Sequence, residues 1–213
     1  IIAGLMTGTS LDGVDVCIAD FNTDPSGKDS FELIEYAEYP YPMLLKDTIT
    51  SIISGNARTS DISNAGFALA RLYADSIINL CREKRFDISK IEAVGVHGQT
   101  VWHSPNAEDF CEYRVASSLQ LLNGPALAQF IDKPVVYDFR SADIAVGGQG
   151  APLVPLFDFN FLHEPGMNVG ALNIGGMANL TFIPSNGDEN LALAFDTGPG
   201  NTWIDYIAKK YFG

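Results

Sequence analysis

The sequence predicts an α/β protein built around a mixed β-sheet. Short β-rich segments bounded by glycine and aspartate turns alternate with segments of helical periodicity, which is typical of a layered α/β sheet. The first three β-rich segments follow one another without a helix, so they form a meander and the sheet is not purely parallel. A strand, a glycine turn and a second strand occur at the start of the chain and again at 170–183, which indicates a repeated design.

Residues 1–140 form the first predicted domain. It opens with three strands, at 1–6, 14–21 and 31–41. Two helices follow, at 43–54 and 59–85, the second with apolar residues at helical spacing. The remaining elements are strands at 93–96, 113–116 and 134–139 and a helix at 125–131.

Residues 141–213 form the second predicted domain, which begins with a glycine-rich connector at 146–150 and a helix at 152–162. Three strands follow, at 170–174, 179–183 and 191–195. The chain begins without Met and stops within an amphipathic helical pattern at 204–213, so we expect it to be a fragment.

Composition excludes several classes of protein. With 213 residues and 46% hydrophobic residues, the chain can fill a globular core. Its net charge of −13 argues against nucleic acid as a partner, since binding a polyanion needs clustered Lys and Arg. Three widely spaced cysteines suit a reducing compartment, and no apolar run approaches the roughly 20 residues that span a bilayer. We therefore expect a cytoplasmic protein with no membrane partner.

A run of small and polar residues at 7–15 separates the first two predicted strands. Glycine lets backbone N–H groups approach an anion, and the hydroxyls of Thr9 and Ser10 add donors, so the segment is suited to cradle a phosphate. An ordinary hairpin turn has the same glycine and aspartate content, and the residues alone leave both interpretations open.

Asp196 is predicted to close a strand just before a helix begins. Ligands collect at such positions, and backbone amides at a helix N-terminus favour anions, so Asp196 is well placed for catalysis. The alternative is that Asp196 only caps the helix.

Two further polar segments follow predicted strands. His97-Gly98-Gln99-Thr100 offers three hydrogen-bonding side chains suited to a hydroxyl-rich substrate, although a lone histidine more often satisfies a local hydrogen bond. Arg140 can bind a carboxylate through two N–H groups; alternatively, it forms a structural ion-pair cluster with Asp138 and Asp143.

Neither 1–27 nor 141–208 contains Lys or Arg. A Walker-type phosphate loop is therefore excluded, because its lysine is absent. If the glycine segments hold phosphates, backbone amides and a metal must neutralise them. Mg²⁺ held mostly through waters by Asp12, Asp15 or Asp196 meets that need.

Taken together, six segments in order resemble the anhydro-N-acetylmuramic acid kinase family, of the actin-like, sugar kinase and Hsp70 superfamily. They are Gly4-Leu5-Met6-Thr7-Gly8-Thr9-Ser10-Leu11-Asp12-Gly13, His97-Gly98-Gln99-Thr100, Asp138-Phe139-Arg140, Gly147-Gly148-Gln149-Gly150-Ala151-Pro152-Leu153-Val154-Pro155, Leu172-Asn173-Ile174-Gly175-Gly176 and Asp196-Thr197-Gly198-Pro199-Gly200-Asn201. Thr7 stands where Ser is usual, and the segment at 120–125 is longer than in many members.

The resemblance implies a duplicated actin-like (ribonuclease H-like) fold, with ATP and a sugar bound between two lobes and the second lobe incomplete here. It places the ATP-binding loop on Gly8, Thr9, Ser10, Leu11, Asp12, Gly13, Val14 and Asp15. It makes Asp196 the base that activates a water to open the 1,6-anhydro ring, while O6 receives the γ-phosphate to give N-acetylmuramic acid 6-phosphate for peptidoglycan recycling. Candidate sugar contacts are His97, Gln99, Thr100, Arg140 and Asp143, with Arg140 facing the lactyl carboxylate.

The family continues well beyond residue 213, so the resemblance also implies that half of the ATP site is missing here. The oligomeric state stays open, a homodimer included. Ser10 is not a hydrolase nucleophile, because Asp12 stands where the nucleophile elbow needs glycine, and a second Asp-Thr/Ser-Gly for an aspartic protease is absent from the sequence. A non-catalytic actin-like nucleotide-binding module remains the alternative, and Asp196 discriminates between the two.

Overall fold

The computed structural model describes residues 1–212. The chain divides into two compact units, Ile1–Gly150 and Ala151–Gly213. The boundary falls at the end of the glycine-rich connector. No helix within residues 1–212 is long and apolar enough to cross a membrane.

The first unit contains a five-stranded mixed sheet. Its strands are β1 (Ile2–Met6), β2 (Gly13–Thr23), β3 (Asp29–Pro40), β4 (Ala93–Val96) and, after the hairpin described below, β7 (Val135–Val136). The order is β3-β2-β1-β4-β7, with β2 antiparallel to both β1 and β3, and β4 parallel to both β1 and β7. The expectation of a mixed α/β sheet with an opening meander is confirmed.

Three helices pack with this sheet in one core: α1 (Met43–Ile53), α2 (Thr59–Lys84) and α3 (Gly124–Ile131). A short helix, α4 (Ser141–Ala145), contacts β6 of the hairpin described below. In β2, Val14, Val16 and Ile18 alternate with less buried residues, and they share one core with Tyr73 and Ile77 of α2. The amphipathic pattern of α2 therefore buries its apolar face against the sheet. The left-handed conformation of Arg85 ends the helix.

A long hairpin, β5 (Gln99–Phe110) and β6 (Tyr113–Leu121), forms its own two-stranded sheet. The prediction of a short strand at 113–116 underestimated β6 and missed β5. Pro105 has no N–H to donate, and the pairing register shifts between Ser104 and Glu108 to pass it. The predicted strand at 134–139 is also shorter than expected, because left-handed backbone at Asp138 prevents an extended continuation of β7.

The second unit repeats the opening design. Its elements are α5 (Val154–Leu162), β8 (Val169–Ile174), β9 (Met177–Ile183), β10 (Leu193–Pro199) and α6 (Asn201–Phe212). The strands form an antiparallel meander in the order β10-β9-β8, with the tight turn Gly175-Gly176 between β8 and β9. A strand, a glycine turn and an antiparallel strand thus occur in both units, as the sequence predicted.

Candidate active site

The loop between β1 and β2 is a tight turn anchored in the core of the first unit. The backbone N–H of Leu11 donates to the carbonyl of Gly8 at 3.4 Å, which closes the turn. Leu11 adopts a φ of 54° although it is not glycine, and its side chain is buried among core residues. Since a left-handed leucine is unfavourable by itself, packing of this side chain holds the turn in shape.

Asp12 is the exposed carboxylate of this loop. Its Oδ1 accepts hydrogen bonds from Ser10 Oγ at 2.9 Å and from the backbone N–H of Gly13 at 3.0 Å. Burial works against the charged form, but these hydrogen bonds outweigh it, and the pKa of Asp12 lies below its ordinary value. The loop therefore presents a fixed negative charge.

Asp15 lies on β2 between Val14 and Val16, so its side chain leaves the sheet on the face away from their core. Its Oδ1 accepts a 2.5 Å hydrogen bond from the hydroxyl of Tyr36, and this bond raises the pKa of Tyr36 to about 12. Within residues 1–212 no group of three or more His, Cys, Asp or Glu side chains is arranged to hold a metal ion. Asp12 and Asp15 fit Mg²⁺ only as single carboxylates acting through water.

The segment that follows β4 lies beside the 8–15 loop. The backbone N–H of His97 donates to the carbonyl of Leu5 at 3.2 Å, and Nε2 of Gln99 donates to the carbonyl of Gly8 at 3.2 Å. Gly98 has a φ of 79°, and an added Cβ would stand 3.2 Å from the carbonyl of Leu121. Two motifs that are 90 residues apart in sequence are thus joined by the parallel pairing of β1 with β4.

His97 and Arg140 form one cluster. Nε2 of His97 accepts from Nε of Arg140 at 3.1 Å and from Nη2 at 2.7 Å, while Nδ1 lies 2.8 Å from the carbonyl of Gly98. The proton therefore sits on Nδ1 and the imidazole is neutral. Burial lowers the pKa of His97, and the charge of Arg140 lowers it further.

The same guanidinium also reaches the glycine-rich connector. Nη1 of Arg140 donates to the carbonyl of Gly150 at 2.5 Å, and Oδ2 of Asp143 accepts from the N–H of Gly150 at 2.7 Å. His97, Arg140 and Asp143 are therefore brought together around the last residue of the first unit. The predicted ion-pair cluster with Asp138 is absent from the ion pairs among residues 1–212, since Asp138 accepts hydrogen bonds from Ser141 instead.

Gln99 and Thr100 differ from this cluster. Gln99 is fully buried, and its amide is engaged within the protein. Thr100 lies at the base of the hairpin, where its hydroxyl accepts from Nε2 of Gln120 at 3.4 Å. That either side chain contacts a sugar stays a prediction.

Asp196 belongs to the second unit and is exposed on β10. The predicted strand at 191–195 is observed as β10, so Asp196 lies within the strand and not at its end, while the segment 195–201 closes β10 and leads into α6, as predicted. Asp196 pairs with Asn179 of β9, and the pairing register shifts between Asp196 and Gly198. Such bulges re-aim neighbouring side chains and are common beside active sites.

The tight turn of the second unit is bonded to the start of α6. The N–H groups of Gly200 and Asn201 donate to the carbonyls of Gly176 and Gly175 at 2.9 and 2.7 Å. A Cβ on Gly200 would lie 2.5 Å from the carbonyl oxygen of Gly175, so the contact requires glycine. The sequence analysis expected backbone amides at this helix N-terminus to bind an anion. The amides of Gly200 and Asn201 instead donate to backbone carbonyls.

Comparison with known proteins supplies the family. The chain matches the family model for anhydro-N-acetylmuramic acid kinase over residues 1–213. The chain belongs to the anhydro-N-acetylmuramic acid kinase family. The resemblance stated from the six motifs is confirmed.

Curated members of the anhydro-N-acetylmuramic acid kinase family match along almost the whole chain. A protein of that name from Salinibacter ruber is 41% identical over 213 residues, which are 99% of this chain and 53% of the relative. Another from Bacillus cereus strain Q1 is 37% identical over 99% of this chain and 54% of the relative. The chain spans about half the length of the curated relatives it matches.

Two polar residues beneath the candidate site were missed by the sequence analysis. Tyr41 and Tyr73 are buried tyrosines whose hydroxyls bond to Gln99 and Thr7 beneath the 8–15 loop. Tyr73 falls on the apolar face of α2, where an aromatic residue is expected in any core. The available sequence signal was the hydroxyl of Tyr73, a polar group on the apolar face of α2.

Proposed function

We propose that the full-length protein uses ATP to phosphorylate anhydro-N-acetylmuramic acid, opening its 1,6-anhydro ring in the same reaction. The observation that carries the proposal is the family match over all of residues 1–213. Water supplies the oxygen at the anomeric carbon, the C1–O6 bond breaks, O6 takes the γ-phosphoryl group, and ADP leaves. The product is N-acetylmuramic acid 6-phosphate, an intermediate of peptidoglycan recycling.

Asp196 is the proposed general base. It accepts the proton of the attacking water, for which it needs to be exposed and within hydrogen-bond reach of that water. Its exposure on β10 and the neighbouring bulge support this role. Ordered placement of the water and of O6 then supplies much of the rate.

The proposed fold is the duplicated actin-like (ribonuclease H-like) one, with a first lobe at 1–140 and an incomplete second lobe at 141–213. Antiparallel meanders with a glycine turn in both units support it. The rest of the second lobe, including the missing part of the ATP site, is proposed to come from the C-terminal half that the longer relatives possess.

The proposed nucleotide loop is 8–15, with ATP and Mg²⁺ as its ligands. No Lys or Arg occurs in 1–27, so backbone amides of the turn would face the phosphates. Asp12 and Asp15 would hold Mg²⁺ through bridging waters, and the ion would neutralise phosphate charge when bound.

The proposed sugar contacts are His97, Gln99, Thr100, Arg140 and Asp143. Arg140 is the best supported, because its bonds to His97 and Gly150 leave N–H groups on Nη1 and Nη2 for the lactyl carboxylate. Both ring nitrogens of His97 are occupied, so its effect on the sugar would pass through Arg140. We place the reaction in the cytoplasm, and light scattering of the full-length protein tests for a homodimer.

The test is incubation of the full-length protein with ATP and anhydro-N-acetylmuramic acid, followed by mass spectrometry of the sugar. We expect one phosphate and one water to be added. Asp196→Asn should abolish the product while ATP affinity is retained, and Asp188→Asn, which keeps its loop-capping oxygen, should behave as wild type. Unchanged turnover in Asp196→Asn rejects the assignment of the base, and ATP binding without any sugar product favours the non-catalytic module.

A further inference from the structure

A buried hydrogen-bond network lies directly beneath the 8–15 loop. Its side chains come from the end of β1, the segment after β3, helix α2 and the start of β5. The members of the network are Thr7, Tyr41, Tyr73 and Gln99, whose exposed fractions are 2%, 8%, 0% and 0%. Buried polar groups are costly unless bonded, so four of them at one place need an explanation.

Gln99 is held in a single orientation. Its Nε2 donates to the carbonyls of Gly8 at 3.2 Å and Thr100 at 3.3 Å, and its Oε1 accepts from the hydroxyl of Tyr41 at 2.7 Å. Exchanging the amide oxygen and nitrogen would point the oxygen at two carbonyls. The hydroxyl of Tyr41 therefore determines which atom of Gln99 faces the loop.

Thr7 is fixed in a similar way. Its hydroxyl donates to the carbonyl of Gly98 at 3.1 Å, so the bond of 3.0 Å to Tyr73 is donated by the tyrosine. Burial raises the pKa of both Tyr41 and Tyr73, which keeps both hydroxyls protonated as donors. Gly98 and Gln99 are thus tied to Thr7 and Gly8 at the start of the loop.

The carbonyl of Gly8 connects this network to the turn. The same oxygen accepts the N–H of Leu11 that closes the turn and the Nε2 of Gln99 from below. A shift of this carbonyl would change the direction of the amides that follow it. We propose that Gln99, oriented by Tyr41, is a positioning residue that fixes the 8–15 loop for nucleotide binding. The proposal rests on the proposed function in that ATP is taken as the ligand of the loop.

The test removes one hydroxyl from the full-length protein. Tyr41→Phe leaves Oε1 of Gln99 buried without a donor, so its amide loses its fixed orientation. We expect ATP to bind roughly tenfold more weakly by calorimetry, with a clearly smaller loss of sugar affinity. Tyr39→Phe is the matched control, because it removes a tyrosine hydroxyl that bonds to Glu83 of α2 and to no member of the network, and it should change neither affinity.

Hydrogen exchange of the peptide 7–13 provides a readout that does not depend on activity. Exchange in this peptide should be faster in Tyr41→Phe and in Tyr73→Phe than in the wild type or Tyr39→Phe. Unchanged exchange, or equal losses of ATP and sugar affinity, overturns the proposal in favour of a general role in stability. If the wild type binds no ATP, the proposed function fails, and the exchange rates alone decide whether the network holds the loop.

Discussion

The neutral state of His97 is set by its surroundings. Its ring is buried, its Nδ1–H is donated to a backbone carbonyl, and its Nε2 receives the guanidinium of Arg140. A second proton on Nε2 would remove the acceptor and place two positive charges in contact. His97 can therefore hold Arg140 against the glycine-rich connector only while its imidazole is uncharged.

This predicts that stability falls at acid pH because of His97. The pKa of His97 is lowered in the folded state, so below the ordinary value of about 6.5 the unfolded chain takes up the proton first, and stability decreases as pH falls further. His97→Gln retains an oxygen that can accept from Arg140 but does not titrate. Chemical denaturation of the full-length protein should show a smaller loss of stability from pH 7 to pH 5 in this variant than in the wild type.

His103 provides the control for that measurement. Its pKa is also lowered, by burial and by Arg140, but its ring is mostly exposed and bonds to Ser118 of the hairpin. His103→Gln should change the pH dependence less than His97→Gln. An equal change in both variants would mean that the charge of Arg140, and not its contact with His97, causes the effect.

At the scale of elements, backbone hydrogen bonds join the β8–β9 turn to the start of α6. Gly200→Ala should lower the free energy of unfolding by about 1–3 kcal/mol, because the added Cβ would clash with the backbone carbonyl of Gly175. A backbone carbonyl cannot rotate away from the clash as a flexible side chain can. Gly170→Ala is the control, because its Cβ would make only ordinary contact with Leu180. Denaturation of the full-length proteins measures both, and equal stability would show that the turn adjusts freely.

The elements also show what the sequence could and could not predict. The meander, α2 and the turn at Gly175-Gly176 were predictable, because apolar periodicity and glycine are local signals. The β5–β6 hairpin was not predictable, because Pro105 and a polar composition are typical of a loop. The register shift that accommodates Pro105 exists only when the two strands are paired. In the candidate site, the motif residues were predicted from sequence, whereas the roles of Tyr41 and Tyr73 depend on the pairing of β1 with β4, which no local pattern contains.

Across the whole chain, buried apolar side chains are distributed unevenly. The main core cluster lies entirely within the first unit and joins α2 to the central sheet. Among residues 151–212, the buried apolar residues are Ala178, Ile183 and Pro184, while large side chains such as Trp203 and Phe212 are exposed. Burial of apolar surface is the main favourable contribution to folding, so the two units differ in their capacity to fold alone.

We therefore expect residues 1–150, expressed alone, to unfold cooperatively, because their core contacts are all internal to that segment. Residues 151–213 alone should show no cooperative transition and should bind a hydrophobic dye, since their meander buries too little apolar surface to offset chain entropy. Thermal unfolding followed by circular dichroism, with dye fluorescence at 25 °C, measures both. A sharp transition in 151–213 without dye binding would show that β8, β9 and β10 form an independent core, and the exposed side chains of α5 and α6 would then need another explanation.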